Sequence, residues 1–251
     1  VDPVMSFYLE GKPVPAHYRN NLSMQVKAMQ RRFPSYAAYG EAQMDEVLKP
    51  GEREGALVLE NTCVESSYFE NLGNGQFARR ALPDLAQVAP VFGLLPVDVD
   101  GDTHLDLLLV GNSYATETHA GQYDALQGLV LRGDGQGQFE PVPASQSGFV
   151  TRGDAQSLTW LRLAGGERLL VTATNRGPLF SYRLPGRMVP LQPQDSRAEI
   201  FLPGGRRLLR EFYRGEGYWS QTGRYLPLPA EAERVVVYDQ QGQSREIGLP
   251  Q

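Results

Sequence analysis

The chain has 251 residues, 41% of them hydrophobic, which is enough for one large β-domain or two smaller ones. Its 27 glycines and 18 prolines favour many turns and short strands over long helices. A net charge of −5, with basic residues clustered only in the pairs Arg31-Arg32, Arg79-Arg80 and Arg206-Arg207, argues against a nucleic-acid partner. No apolar run reaches the roughly 18 residues that a membrane-spanning helix needs, so no membrane span is expected.

The chain opens on a strand over Val1–Leu9, followed by a turn from Gly11 to Pro15. Leu22, Val26, Met29 and Phe33 then recur at helical spacing and predict one helix face, which Pro34 stops. A second helix is predicted over Tyr36–Leu48, with Tyr36, Tyr39, Met44 and Val47 partly inward and Pro50-Gly51 ending it. The Met and aromatic stripe reads as core packing. Leu57–Val64 reads as a strand, with the single cysteine, Cys63, as a buried structural thiol. One cysteine excludes an intrachain disulfide.

From Ala56 onward the pattern is β. Asn74-Gly75 is the strongest hairpin signal. Strands are predicted over Val91–Val97, Leu105–Val110, Leu126–Leu131, Phe139–Val142, Thr159–Leu163, Arg168–Ala173 and Leu179–Tyr182. The Gly-rich turn before Phe77 is echoed before Phe139, and the spacing of the two exceeds a blade repeat of roughly 40 to 50 residues. An insertion over Asn112–Gly128 accounts for the excess. Pro185–Pro190 reads as a linker to a small β-domain with hairpin turns at Gly204-Gly205 and Gln241-Gly242.

The chemistry concentrates in Asp98-Val-Asp100-Gly-Asp102-Thr-His104-Leu-Asp106. Calcium takes six to eight hard oxygens at about 2.3 to 2.6 Å. Asp98, Asp100, Asp102 and Asp106 would supply carboxylates and His104 its peptide carbonyl. Gly101 lets the loop fold without a Cβ clash. Thr103 stands where such loops favour a glycine. An EF-hand is excluded, because its closing acid would fall on Leu109 and because strands, not helices, flank the loop. The alternatives are an acidic surface turn without an ion and, less favoured for a set of hard oxygens, zinc on the His104 ring. Val1-Asp2-Pro3-Val4 echoes Leu105-Asp106-Leu107-Leu108, so Asp2 is expected to end a second such loop in a longer protein.

Enzyme signatures are lacking: there is no nucleophile elbow, no phosphate-cradling loop and no zinc-protease helix motif. Glu117, His119 and Asp124 cluster in the insertion and form a candidate site, with surface hydrogen bonding as the plainer reading.

The stretch Val97–Asn112 resembles an FG-GAP or VCBS-type propeller repeat, and the turns ending at Phe77 and Phe139 resemble the corners of the same repeats. Arg214–Tyr225, with its Gly-Glu-Gly-Tyr-Trp-Ser-Gln core, resembles the UnbV-type domain that often follows them. The resemblance implies an all-β chain with a short helical insertion at about 16–49, partial propeller blades over 1–188, and a small β-sandwich-like UnbV-like domain over 189–251. It implies a non-catalytic, calcium-stabilised binding or adhesion module. Its place would be extracellular or on the outer surface of a bacterium, facing a protein or glycan ligand. The signal segment would lie outside this sequence. The second reading is an accessory region of a larger secreted enzyme acting on glycans or other polymers.

Overall fold

The computed structural model describes residues 4–116, 121–164, 166–215 and 217–249. Asp2, Glu117 and His119 lie outside them, so neither the echoed loop at Asp2 nor the site expected from Glu117, His119 and Asp124 is described; Asp124 itself is exposed. Strands make up 40% of the chain and helices 14%, in several small antiparallel sheets without a closed barrel. The chain is therefore all-β. Two compact units divide it, Val1–Cys63 and Val64–Gln251. Among the described residues no helix is long and apolar enough to cross a membrane.

In the first unit, β1 (Ser6–Leu9) pairs with β2 (Lys12–Pro15). The expected turn is thus only Glu10-Gly11, both at positive φ, and the two prolines after it sit within a two-stranded ribbon. The helical stripe breaks into α1 (Arg19–Gln25) and α2 (Ala28–Arg32), because Val26 is extended at φ −124 and caps the first helix. Leu22, Met29 and Phe33 still reach the core, whereas Val26 does not. The second expected helix is likewise split, into α3 (Tyr36–Gly40) and α4 (Met44–Val47), which buries Tyr39, Met44 and Val47 but leaves Tyr36, expected inward, exposed. Ser35 caps α3 by accepting from the Ala38 amide at 3.1 Å, and Glu46 accepts from the Gln43 amide at 2.8 Å ahead of α4. Phe33 meets Tyr39 edge-on at 5.3 Å, and both pack with Val47. Among the described residues Leu57–Val64 is assigned no strand, and Cys63 is exposed, so the expected strand and buried thiol are corrected. Leu57, Val58, Leu59 and Val64 are each at least 80% exposed, so burial gives this apolar stretch no reason to be a strand.

The second unit opens with the hairpin β3 (Ser67–Gly73) and β4 (Gln76–Ala81), turned by Asn74 at φ 53 and Gly75 at φ 73. A four-stranded meander follows: β5 (Val91–Val97), β6 (Asp106–Gly111), β7 (Leu129–Gly133) and β8 (Phe139–Val142), in that order. Both faces of β6 are buried. Leu108 and Val110 enter one core with Leu95, Val130 and Leu158; Leu109 enters another with Leu82, Leu126 and Leu131. Double burial explains why Leu105–Val110 reads as a continuous apolar run. The Tyr68 ring of β3 meets Phe139 edge-on at 5.9 Å, which joins the two echoed hairpins.

After the short α5 (Ala144–Ser147) comes a second meander of β9 (Ala155–Arg162), β10 (Arg168–Thr174) and β11 (Leu179–Leu184), which closes the Leu108 core. The expected linker is largely a strand, β12 (Arg187–Pro190). Next come β13 (Asp195–Phe201), β14 (Arg207–Glu211) and β15 (Tyr225–Leu228), which pairs back with β12. The last strands are β16 (Arg234–Asp239) and β17 (Ser244–Ile247), in a sheet ordered β14-β13-β16-β17. Both sheets feed one core of Val189, Ile200, Leu226, Val235 and Val237.

Candidate metal centre

Strands β5 and β6 run antiparallel with Val97 opposite Asp106, so the acidic loop is the turn between two paired strands. Gly101 at φ 86 and Thr103 at φ 76 reverse the chain. A β-branched residue strongly disfavours that conformation. Thr103 holds it nevertheless, only 5% exposed, with its amide donating to Asp98 Oδ2 at 3.0 Å. The Gly101 amide donates to Asp98 Oδ1 at 2.7 Å. Asp98 thus shapes the loop that it opens.

Asp106 closes it from within the sheet. It is 1% exposed, and each carboxylate oxygen accepts one amide: Oδ2 from Val99 at 2.8 Å, Oδ1 from Gly133 at 2.9 Å. Gly133 is required by close approach, since a Cβ there would lie 2.2 Å from the Leu105 carbonyl oxygen. Burial pushes the Asp106 carboxyl above its ordinary range; the two amides oppose this, and the charges of Asp100 and Asp102 add to it.

Carboxylate oxygens of Asp98, Asp100 and Asp106 all come within 4.8 Å of one another. Three of the five expected ligand residues therefore converge. Asp102 is turned away: it accepts the His104 amide at 2.8 Å and faces His104 Nδ1 at 3.4 Å. The His104 ring, half exposed, lies beside Gly135 and is not in the converging set. The role expected of His104 uses its carbonyl, not its ring. Arg132 Nε stands 3.0 Å from Asp100 Oδ2 and partly balances the group. Neither Arg132 nor the Gly133 amide was recognisable from the loop, because both arrive from β7 through strand pairing. Hard carboxylates gathered this closely repel one another unless a cation is bound, so the donor set suits a metal ion.

Asp98 and Asp100 also line a large cleft of about 770 Å³ in the second unit. Asp100 and Asp106 line a smaller one of about 420 Å³.

No family model matches this sequence, and no curated protein matches it. Among solved structures, the chain is similar to a selenomethionine-substituted virginiamycin B lyase from Staphylococcus aureus, at 11% identity and a TM-score of 0.18. The match covers 65% of this chain and 57% of that one, and a similarity this weak carries no argument about fold or activity.

Proposed function

We propose that the chain is a non-catalytic binding module whose β5–β6 hairpin is held by calcium. One observation carries this reading, the convergence of the Asp98, Asp100 and Asp106 carboxylates within 4.8 Å. Calcium suits the donors because they are hard oxygens on a loop able to add more. The Asp102 carboxylate would join after a side-chain rotation, and the His104 carbonyl and water would complete the shell. The ion would act as a staple, since Asp106 already ties the loop to β7 through Gly133. The four-stranded meander β5–β8 supports a blade of the FG-GAP or VCBS type, and the tethered stretch Arg214–Tyr225 a UnbV-like end. An extracellular or bacterial surface location with a protein or glycan ligand follows from that reading. Calcium titration followed by thermal melting tests it. Calcium is expected to raise Tm, magnesium to raise it less, and a chelator to reverse the gain. Absence of a calcium-dependent shift would remove the proposal.

A further inference from the structure

The large cleft has a wall that the calcium reading does not use. Trp160 on β9 and Arg168 on β10 line it, and they are 8% and 7% exposed. Among the described residues, Trp160 Nε1 and Arg168 Nε are buried without a hydrogen-bond partner, and so is Nε of Arg224, a third residue of the same lining. Buried donors are nearly always satisfied, so each orphan calls for a partner. Three in one cleft is a concentration, not a scatter.

Charge adds a second observation. Arg168, Arg210 and Arg224 all line the cleft, and none forms an ion pair among the described residues. Their other contacts are backbone oxygens. Arg168 Nη2 donates to the Pro185 carbonyl, Arg210 Nη1 and Nη2 to those of Leu209 at 3.0 Å and Thr103 at 3.4 Å, and Arg224 Nη2 to those of Gln192 at 3.0 Å, Pro193 at 3.5 Å and Asp195 at 2.5 Å, which leaves its Nε without a partner. Burial pushes the Arg168 and Arg210 guanidinium groups below their ordinary range, and Asp98 only partly opposes this. Asp98, Asp100 and Glu211 on the same lining offset part of this charge, but none of them forms a direct ion pair with these three guanidinium groups, and a buried guanidinium without one favours an added anion. The rest of the wall is largely apolar, with Phe212 beneath the Arg224 guanidinium at 5.9 Å. The volume of about 770 Å³ falls within the range of small-molecule sites.

We propose that this cleft binds a small organic anion, a carboxylate or sulfonate head on an apolar or aromatic body. The head would meet Arg168 and Arg224, and the body would lie along Trp160 and Phe212. Asp98 and Asp100, read above as calcium ligands, lie on the rim of the same cleft, so the test runs both with calcium and with a chelator to let the two readings fail independently.

The probe is 8-anilinonaphthalene-1-sulfonate, compared with its neutral analogue N-phenyl-1-naphthylamine, on the full chain. In a Trp219→Phe background Trp160 is the sole tryptophan. The expected result is one probe per folded chain, energy transfer from Trp160, and displacement by decanoate but not by decan-1-ol. Arg224→Met and Arg168→Met are expected to weaken the sulfonate roughly tenfold or more while sparing the neutral analogue. Should either variant fail to fold, the decanoate and decanol comparison on the unaltered chain still decides. Equal binding of the neutral and anionic probes, equal displacement by decanol, or no transfer from Trp160 would overturn the proposal.

Discussion

Asn112 grips Leu126 by both ends of its amide: Nδ2 donates to the Leu126 carbonyl at 2.7 Å and Oδ1 accepts the Leu126 amide at 3.0 Å. The same Nδ2 also donates to the Gly153 carbonyl at 2.8 Å. Asn112 is 1% exposed and sits at φ 90, a conformation asparagine tolerates better than most residues. The contact closes the neck of the 112–128 insertion just after β6 ends at Gly111.

Asn112→Gly keeps the backbone conformation and deletes the three bonds. It is expected to destabilise the second unit by about 2–4 kcal/mol, since buried backbone groups lose their partners. Urea unfolding gives the loss, and amide exchange at Leu126 locates it. Unchanged exchange there would show that the neck is held by something else.

Asp106 and Asp100 separate the two jobs of the acidic loop. Asp106→Asn places a donor against an amide of Val99 or Gly133, so it should cost about 1–3 kcal/mol even without calcium. Asp100→Asn leaves those amides satisfied, keeps an oxygen to accept the Asp102 amide and weakens the exposed ion pair with Arg132, so chelated protein should melt almost as before. Its calcium-dependent gain in Tm should shrink, because ligand stabilisation follows occupancy of the folded state. Melting each variant with calcium and with chelator checks both statements.

Thr103 tests backbone strain. At φ 76 it occupies the left-handed region, where alanine retains the Cβ penalty and glycine does not. Alanine usually outperforms glycine because it restricts the unfolded chain. Here the order should reverse, with Thr103→Gly more stable than Thr103→Ala by about 1 kcal/mol. Chemical denaturation of the pair measures the difference, and the usual order would show that the loop relaxes around residue 103.

Much of this fold is written locally. The Asn74-Gly75 turn, the β5 and β8 boundaries and the acidic loop all follow from residue type and spacing. What escaped is non-local. Arg187–Pro190 looks like a linker because its strand partner, Tyr225–Leu228, comes much later in the chain. Val26 continues the helical stripe in sequence, yet the helix ends there, which periodicity does not register. At the loop, spacing alone treats Asp102 as equal to Asp98 and Asp100; the His104 amide draws it aside. Trp160 and Arg168, both buried, carry no motif, since their cleft forms only where the β9–β11 sheet meets β5, the acidic loop and later strands.

In the first unit, Glu52 is a pH-sensitive group. Arg32 forks onto it at 2.8 and 2.7 Å and the Lys49 amide donates to it at 2.8 Å, which together lower its pKa from 4.5 to about 2. A depressed carboxylate pKa means that the contribution is fully present above the ordinary value and is lost as pH falls from there toward about 2. Arg32 also donates to the Val47 carbonyl, so protonating Glu52 should loosen the end of α4. Carboxyl-detected NMR should place the Glu52 midpoint at about 2, with amide shifts near Val47 following the same titration. In Glu52→Gln those shifts should stay flat through that window. A Glu52 midpoint at the ordinary glutamate value would mean that the Arg32 fork does not hold in solution.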